Sequence, residues 1–470
     1  MIQAIDVILL AGAAAVLLAA PAVSYAEESE QALDVTALTQ VFSPVERRAA
    51  TRTRDGNVNT YTTFAPDEPY SCTWPAEAGV RGISVKWYTP PDSVILVQTG
   101  ENGEELSRET IEESIYNDYF PLLETARGVQ LYADGGMRIA ELALYTAGEL
   151  PDGVYDWQPP VSKADLLVVA AHCDDELLFF GGTIPYYAGE RGLAVQVAYM
   201  ANGDRVRVDE ALNGLWYCGV KNAPVFLPLP DAYTDTLRDA LIRWNEQTTV
   251  DLLVSLIRRF RPEVIVTHDL NGEYGHGAHM ASAYYMQEAV PLAADTAAYP
   301  ESAAAYGAWQ TQKLYLHLYP ENAVTMDWTI PLEAFGGKTA LQIANEAYHM
   351  HASQLEYHLN VFGSGVYSSA KFGLAFSAVG QDEEKGDFFE HVDSTRLTTY
   401  SAPVPEETPA GAVTPTLTPI PTAAPAVTAA QAEEPQRKET IVPLLIGGAA
   451  IIISAAALIA KKTISRRKKK

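Results

Sequence analysis

Leu166-Leu167-Val168-Val169-Ala170-Ala171-His172-Cys173-Asp174-Asp175-Glu176 is an apolar run that ends abruptly in one imidazole and three carboxylates. A continuous apolar run of this length suits a strand buried on both faces. Burying adjacent carboxylates is costly unless a cation or a dense set of donors compensates them. A metal site at the C-terminal end of the strand accounts for the pattern.

A second cluster, Thr267-His268-Asp269-Leu270-Asn271-Gly272-Glu273-Tyr274-Gly275-His276-Gly277-Ala278-His279, also follows an apolar, β-branched run, Val264-Ile265-Val266. Before it, apolar residues at 252, 253, 256, 257 and 260 share one face of a helix expected over 250–260. Pro262 stops that helix. Both clusters therefore fall where a strand gives way to a loop, the place where open α/β sheets put their ligands.

Imidazole plus carboxylate suits Zn2+, and three protein ligands leave a fourth position for water. His172 and Asp175 can face one point, with His279 arriving from the distant loop. Asp174 then lies beside the metal, placed to take a proton from water whose pKa zinc lowers to about 7. His276 is placed to stabilise an oxyanion or to protonate a leaving group. An Asp-Asp pair before a helix is by itself more often a cap, and a lone pair of histidines three apart is usually structural. The two clusters together, each after an apolar strand, favour chemistry.

His172-Cys173-Asp174-Asp175-Glu176 resembles the HPDDE motif of the PIG-L/LmbE-like zinc-dependent N-deacetylases, and Tyr274-Gly275-His276-Gly277-Ala278-His279 resembles their YGHPDH motif. The resemblance covers about residues 160–400. It implies a Rossmann-like fold, removal of an N-acetyl group from N-acetylglucosamine-containing molecules, and metal ligands at His172, Asp175 and His279. It further implies Asp174 as base, His276 as auxiliary histidine and Tyr274 as a mobile tyrosine at the substrate. Arg207-Val208-Asp209-Glu210 resembles an RxxE segment whose arginine contacts substrate, and His351-Ala352-Ser353-Gln354 a late HxSQ signature. Zn2+ is the implied metal, with another divalent ion such as Fe2+ as alternative. Cys173, Gly277 and Ala278 depart from the motifs. Ala278 removes a carboxylate that could orient a neighbouring histidine; Asp269, on the same loop, is a candidate substitute.

Residues 35–155 have a different texture. Gly82–Tyr88, Ser93–Val97 and Met137–Tyr145 are short strand-like runs separated by turn residues such as Asn102-Gly103 and Asp134-Gly135-Gly136. They predict a β-sandwich. Asp55-Gly56 followed by Thr60–Phe64, then Ile139–Tyr145, resembles discoidin (F5/8 type C) domains, often carbohydrate binders. The expected architecture is thus an α/β, Rossmann-like, mostly parallel sheet with flanking helices (158–400), an N-terminal β-sandwich and a C-terminal transmembrane helix.

The ends set the expected location. Residues 1–26 resemble a secretory signal, although Asp6 and the lack of an early Lys or Arg are atypical. Residues 402–440 are rich in Pro, Thr and Ala, a composition that favours an extended spacer. The uncharged stretch 441–460 is as long as a bilayer core demands, and a basic tail, 461–470, puts its C-terminal side in the cytoplasm. A single-pass membrane protein with an extracellular ectodomain, on a Gram-positive bacterial surface, is the expectation. The net charge of −26 argues against nucleic acid as a partner. Three cysteines, Cys72, Cys173 and Cys218, make no disulfide framework. The composition leaves oligomeric state open. A carbohydrate or glycoconjugate is the expected substrate; the competing reading is a glycan-binding adhesin whose α/β domain has lost turnover.

Overall fold

The structure, a computed structural model, describes residues 31–42, 51–66, 68–201, 203–231 and 233–398. The expected signal segment (1–26), spacer (402–440), membrane span (441–460) and basic tail (461–470) lie outside the described residues. Among the described residues no helix is long and apolar enough to cross a membrane.

The N-terminal part is built from antiparallel strands: β1 (Gln40–Phe42), β2 (Thr62–Phe64), β3 (Tyr70–Thr73), β4 (Val80–Thr89), β5 (Val94–Thr99), β6 (Glu105–Ile111), β7 (Asn117–Pro121), β8 (Gly128–Tyr132) and β9 (Met137–Thr146). They form two sheets, ordered β1-β3-β8-β5-β6 and β2-β9-β4-β7. Alternate residues face inward: Tyr70, Cys72, Leu96 and Leu131 of the first sheet meet Phe64, Ile83, Val85 and Leu144 of the second around the buried Trp87. This is a sandwich with one core. Asn102-Gly103 turns β5 into β6, with Gly103 at φ +79°, a conformation that side chains with a Cβ rarely adopt.

The larger, C-terminal part of the described residues is built on a seven-stranded sheet, ordered β12-β11-β10-β13-β14-β16-β15. Its strands are β10 (Leu166–Ala170), β11 (Val195–Ala201), β12 (Val225–Leu229), β13 (Val264–Thr267), β14 (Lys313–His317), β15 (Ala323–Thr325) and β16 (Lys371–Ser377). Pairing is parallel from β12 to β14 and antiparallel at the β16-β15 edge. Every residue of β10 is buried, because its two faces serve two cores. Leu166, Val168 and Ala170 pack with Tyr199, Leu212 and Leu215, whereas Leu167, Val169 and Ala171 pack with Leu253, Ile257 and Tyr285. Full burial of one such side chain is worth about 1.5–3 kcal/mol.

The helices are α1 (Asp175–Leu178), α2 (Arg205–Tyr217), α3 (Leu237–Arg243), α4 (Glu246–Phe260), α5 (Gly277–Ala293), α6 (Pro300–Tyr306) and α7 (Ala340–Tyr348). Helix α4 begins four residues before the expected start, because Asn245 caps it by accepting from the Thr248 N–H. It ends at Arg261, in the left-handed region at φ +48°, just before Pro262. The three cysteines are buried and form no disulfide.

Two features place the site. Strand β10 has β11 on one side and β13 on the other, so chain order reverses between them; a crevice opens at such a switch point. His172 lies just beyond β10, and His268 directly follows β13. At the opposite end of β10, the Thr398 N–H donates to Asp165 (2.6 Å) and Arg396 pairs with Glu263 (3.0 Å), fastening the last described residues there.

Candidate metal centre

The loops after β10 and β13 meet. Asp175 Oδ2 lies 3.0 Å from His172 Nδ1 and 3.3 Å from His279 Nε2. Ring nitrogens of His172, His276 and His279 lie within 4.8 Å of one another. All four residues are buried. The sharp turn after β10 makes this convergence: the His172 N–H donates to Asp175 Oδ2 (2.8 Å), and Asp174 is held at φ +127°. A non-glycine residue there is strained, and surrounding contacts must hold it. Asp174 occupies the start of α1, yet its side chain does not cap that helix.

That side chain is held by a cation instead. Arg207 Nη2 donates to Asp174 Oδ1 (3.0 Å) and to the Cys173 carbonyl (2.7 Å), while Nη1 reaches Asp231 (3.4 Å). The guanidinium expected at substrate is therefore engaged with Asp174. Burial, then the charge of Asp175, pushes the Asp174 carboxyl up to about 7, against the pull of Arg207.

The acid that orients His279 is Glu273. Its carboxylate, fully buried, accepts from His279 Nδ1 (2.7 Å), His268 Nδ1 (2.9 Å) and His317 Nδ1 (2.6 Å). Asp269, the candidate suggested by the departure at Ala278, instead accepts from the Asn271 N–H (3.0 Å) within its own loop. Burial alone raises the Glu273 carboxyl, but the imidazoles, His268 foremost, more than reverse this and hold it well below the usual range. Glu273 lies in the quoted loop, and His317 ends β14 after Leu314-Tyr315-Leu316. A third apolar strand terminating in histidine was the signal that could have found the pair.

Hydrogen bonds settle which imidazole nitrogens are free. His268 Nε2 accepts from the Ala171 N–H (2.9 Å), so its lone pair is taken and it drops out as a ligand. His279 Nε2, by contrast, is buried without a hydrogen-bond partner. Burial lowers the His279 pKa, but Asp175 and Glu273 more than offset it and push it up to about 10. The cavity calls for positive charge, and a divalent ion can replace that proton. Ligand atoms converge in two groups that share His279, His172-His276-His279 and Asp175-His268-His279. With His268 Nε2 taken, His172, Asp175 and His279 are the candidate donor set, with Glu273 as the carboxylate behind His279.

His276 opens α5, and its Nδ1 accepts from the Ala278 N–H (3.2 Å). Burial and the neighbouring His279 push its pKa down to about 3, so the ring is neutral and Nε2 carries the hydrogen. Tyr274, 45% exposed and at φ +46°, stands with its ring 5.5 Å from that of His279. Tyr233, also exposed, meets His276 edge-on at 4.7 Å. Two aromatic side chains therefore flank the mouth. Behind the site, Glu210 accepts from Ser353 Oγ (2.6 Å), and His351 faces Glu176 (3.4 Å), so the RxxE and HxSQ segments meet.

Residues 167–290 match the family described as PIG-L: GlcNAc-PI de-N-acetylase. The 1D-myo-inositol 2-acetamido-2-deoxy-alpha-D-glucopyranoside deacetylase 1 of Catenulispora acidiphila is 32% identical over 203 residues, covering 37% of this chain and 62% of that protein. A deacetylase of the same description from Rhodococcus erythropolis is 34% identical over 183 residues, 33% of this chain and 60% of that protein. The chain thus spans about three-fifths of the length of these two curated relatives. The N,N'-diacetylchitobiose deacetylase of Pyrococcus horikoshii overlaps weakly, at TM-score 0.33 and 17% identity, over 43% of this chain and 74% of that one. The family match falls on the segment that bears both loops, residues 167–290.

Proposed function

We propose that the protein is a zinc-dependent N-deacetylase acting on an N-acetylglucosamine-containing glycan or glycoconjugate. The observation that carries the proposal is the meeting of His172, Asp175 and His279 from two distant loops, beside an arginine-held Asp174 and a neutral His276. The names of the matched family and of the two relatives support the bond type. In this reading His172, Asp175 and His279 hold the ion. When bound, it supplies a Lewis acid that polarises the amide carbonyl and acidifies water.

The chain's own residues do the rest. Asp174, ionised, takes the proton of the attacking water, and Arg207 fixes the orientation of its carboxylate. His276 donates from Nε2 to the carbonyl oxygen as negative charge develops there. Its depressed pKa suits it to hydrogen bonding rather than to permanent charge. The proton gathered by Asp174 then goes to the departing nitrogen, leaving a free amine and a carboxylate. Tyr274 and Tyr233 give the sugar ring an apolar surface beside the reacting bond. Glu273 supplies the carboxylate that Ala278 does not, which favours a working enzyme over an inactive adhesin.

Export, a C-terminal membrane anchor and an extracellular, Gram-positive location remain part of this proposal, on the sequence alone. So does glycan binding by the discoidin-like sandwich.

The test is acetate release from N-acetylglucosamine oligomers and from N-acetylglucosaminyl-inositol conjugates, together with zinc content. Asp174→Asn is expected to keep zinc and lose hydrolysis by about 10²- to 10⁴-fold; an active Asp174→Asn enzyme refutes its role as base. The base must be ionised, so the rate falls on the acid side. Removing the cation in Arg207→Ala raises the Asp174 pKa, and the acid limb of the pH–rate profile is expected to move to higher pH. A limb that stays in place, or moves down, contradicts the pairing.

A further inference from the structure

Helix α2 carries two arginines two residues apart, and they point in different directions. Arg207 reaches Asp174, as described. Arg205 is buried and reaches into the β-sandwich. Its Nε donates to the Trp87 carbonyl (2.7 Å), and its Nη2 donates to the Tyr116 carbonyl (3.1 Å) and to Asn117 Oδ1. The guanidinium also lies over the Tyr116 ring, 5.1 Å from its centroid.

One turn on, Asp209 faces the same way. It accepts from Lys86 Nζ (2.8 Å) and Asn117 Nδ2 (2.7 Å) and stands 3.7 Å from Arg205 Nη1. Positions i and i+4 lie on one face of a helix, and i+2 lies about 200° round from i. Trp87 and Lys86 belong to β4, and Asn117 to β7; these strands are paired in the sandwich. A rigid antiparallel template therefore grips one face of the first turn of α2 while the opposite face holds the base. A helix's first turn lacks intrahelical partners for its N–H groups and is prone to fray. Here Asp204, accepting from the Arg207 N–H (3.0 Å), caps it from within.

We infer that the β-sandwich is a working part of the hydrolytic site: through Arg205 and Asp209 it fixes the first turn of α2, and so sets where Arg207 holds Asp174. Arg205, Asp209, Lys86 and Asn117 are positioning residues. The inference rests on the proposed role of Asp174, and the test separates the two.

Asn117→Ala and Arg205→Ala are made in the full chain, each also combined with Arg207→Ala. Three results are expected. Hydrogen exchange in the peptide spanning residues 203–209 rises in both single variants. Zinc content is unchanged, while kcat falls roughly 10- to 100-fold with KM little altered. In the Arg207→Ala background the further loss vanishes, because the route runs through that side chain. Unchanged exchange overturns the inference, as does a loss that persists undiminished without Arg207. Asn117→Ala removes the milder set of contacts and serves where Arg205→Ala fails to fold. If the wild-type protein releases no acetate, the proposed function fails, whereas exchange at 203–209 still decides whether the sandwich secures the helix.

Discussion

His279→Ala is expected to abolish zinc binding and hydrolysis together, while the sheet and the sandwich remain folded. The imidazole enters from α5 with one nitrogen committed to Glu273 and the other, Nε2, buried beside Asp175 with no hydrogen-bond partner. The two nearest imidazoles are each engaged. His268 Nε2 is occupied by the Ala171 N–H, and His276 Nδ1 by the Ala278 N–H. Loss of the ion removes several kcal/mol of transition-state stabilisation, which corresponds to a rate loss of at least about 10³-fold. Zinc content after dialysis and acetate release measure the two effects. A variant that retains stoichiometric zinc shows that the ligand set is different.

Glu273→Gln has the largest expected effect on stability. The carboxylate is fully buried and receives three imidazole N–H groups. His317 is the decisive partner, because its Nε2 faces the Ser368 carbonyl (3.0 Å) and must carry a hydrogen. Both its nitrogens therefore face acceptors, one of them Glu273. An amide in place of the carboxylate removes the negative charge and turns an N–H toward a donor. Breaking a buried pair in this way costs about 3–5 kcal/mol, and losing the carboxylate behind His279 weakens metal affinity roughly 10- to 100-fold. The pH dependence has a definite sign. The Glu273 carboxyl is held below its unfolded value, so its contribution is present above about pH 4.3 and is lost as pH falls through the folded value. The glutamine variant is expected to be less stable at neutral pH and to show a weaker decline on acidification. Denaturation curves across pH, with and without zinc, check this; a variant matching wild type at neutral pH contradicts it.

Much of the active region was legible because its signals are local. Two apolar runs ending in histidine and acid marked two strand ends, and parallel pairing of β10 with β13 brings those ends side by side. Glu273 has no legible role in the sequence, since its partners His268, His279 and His317 sit on three separate elements. Sequence spacing shows such a constellation only when each member lies in a recognised motif, and His317 does not. Docking of the sandwich was hidden for a different reason. Arg205 binds main-chain carbonyls of Trp87 and Tyr116, and carbonyls carry no mark of residue type. Arg205 and Arg207 look alike in sequence; the helical twist and the neighbouring strands give them separate tasks.

The fastening of Thr398 to Asp165 has a bearing on access to the crevice. Strand β10 advances about 17 Å over its five residues. Thr398, the last described residue, is therefore held at the floor of the domain, a strand's length from the crevice on the roof.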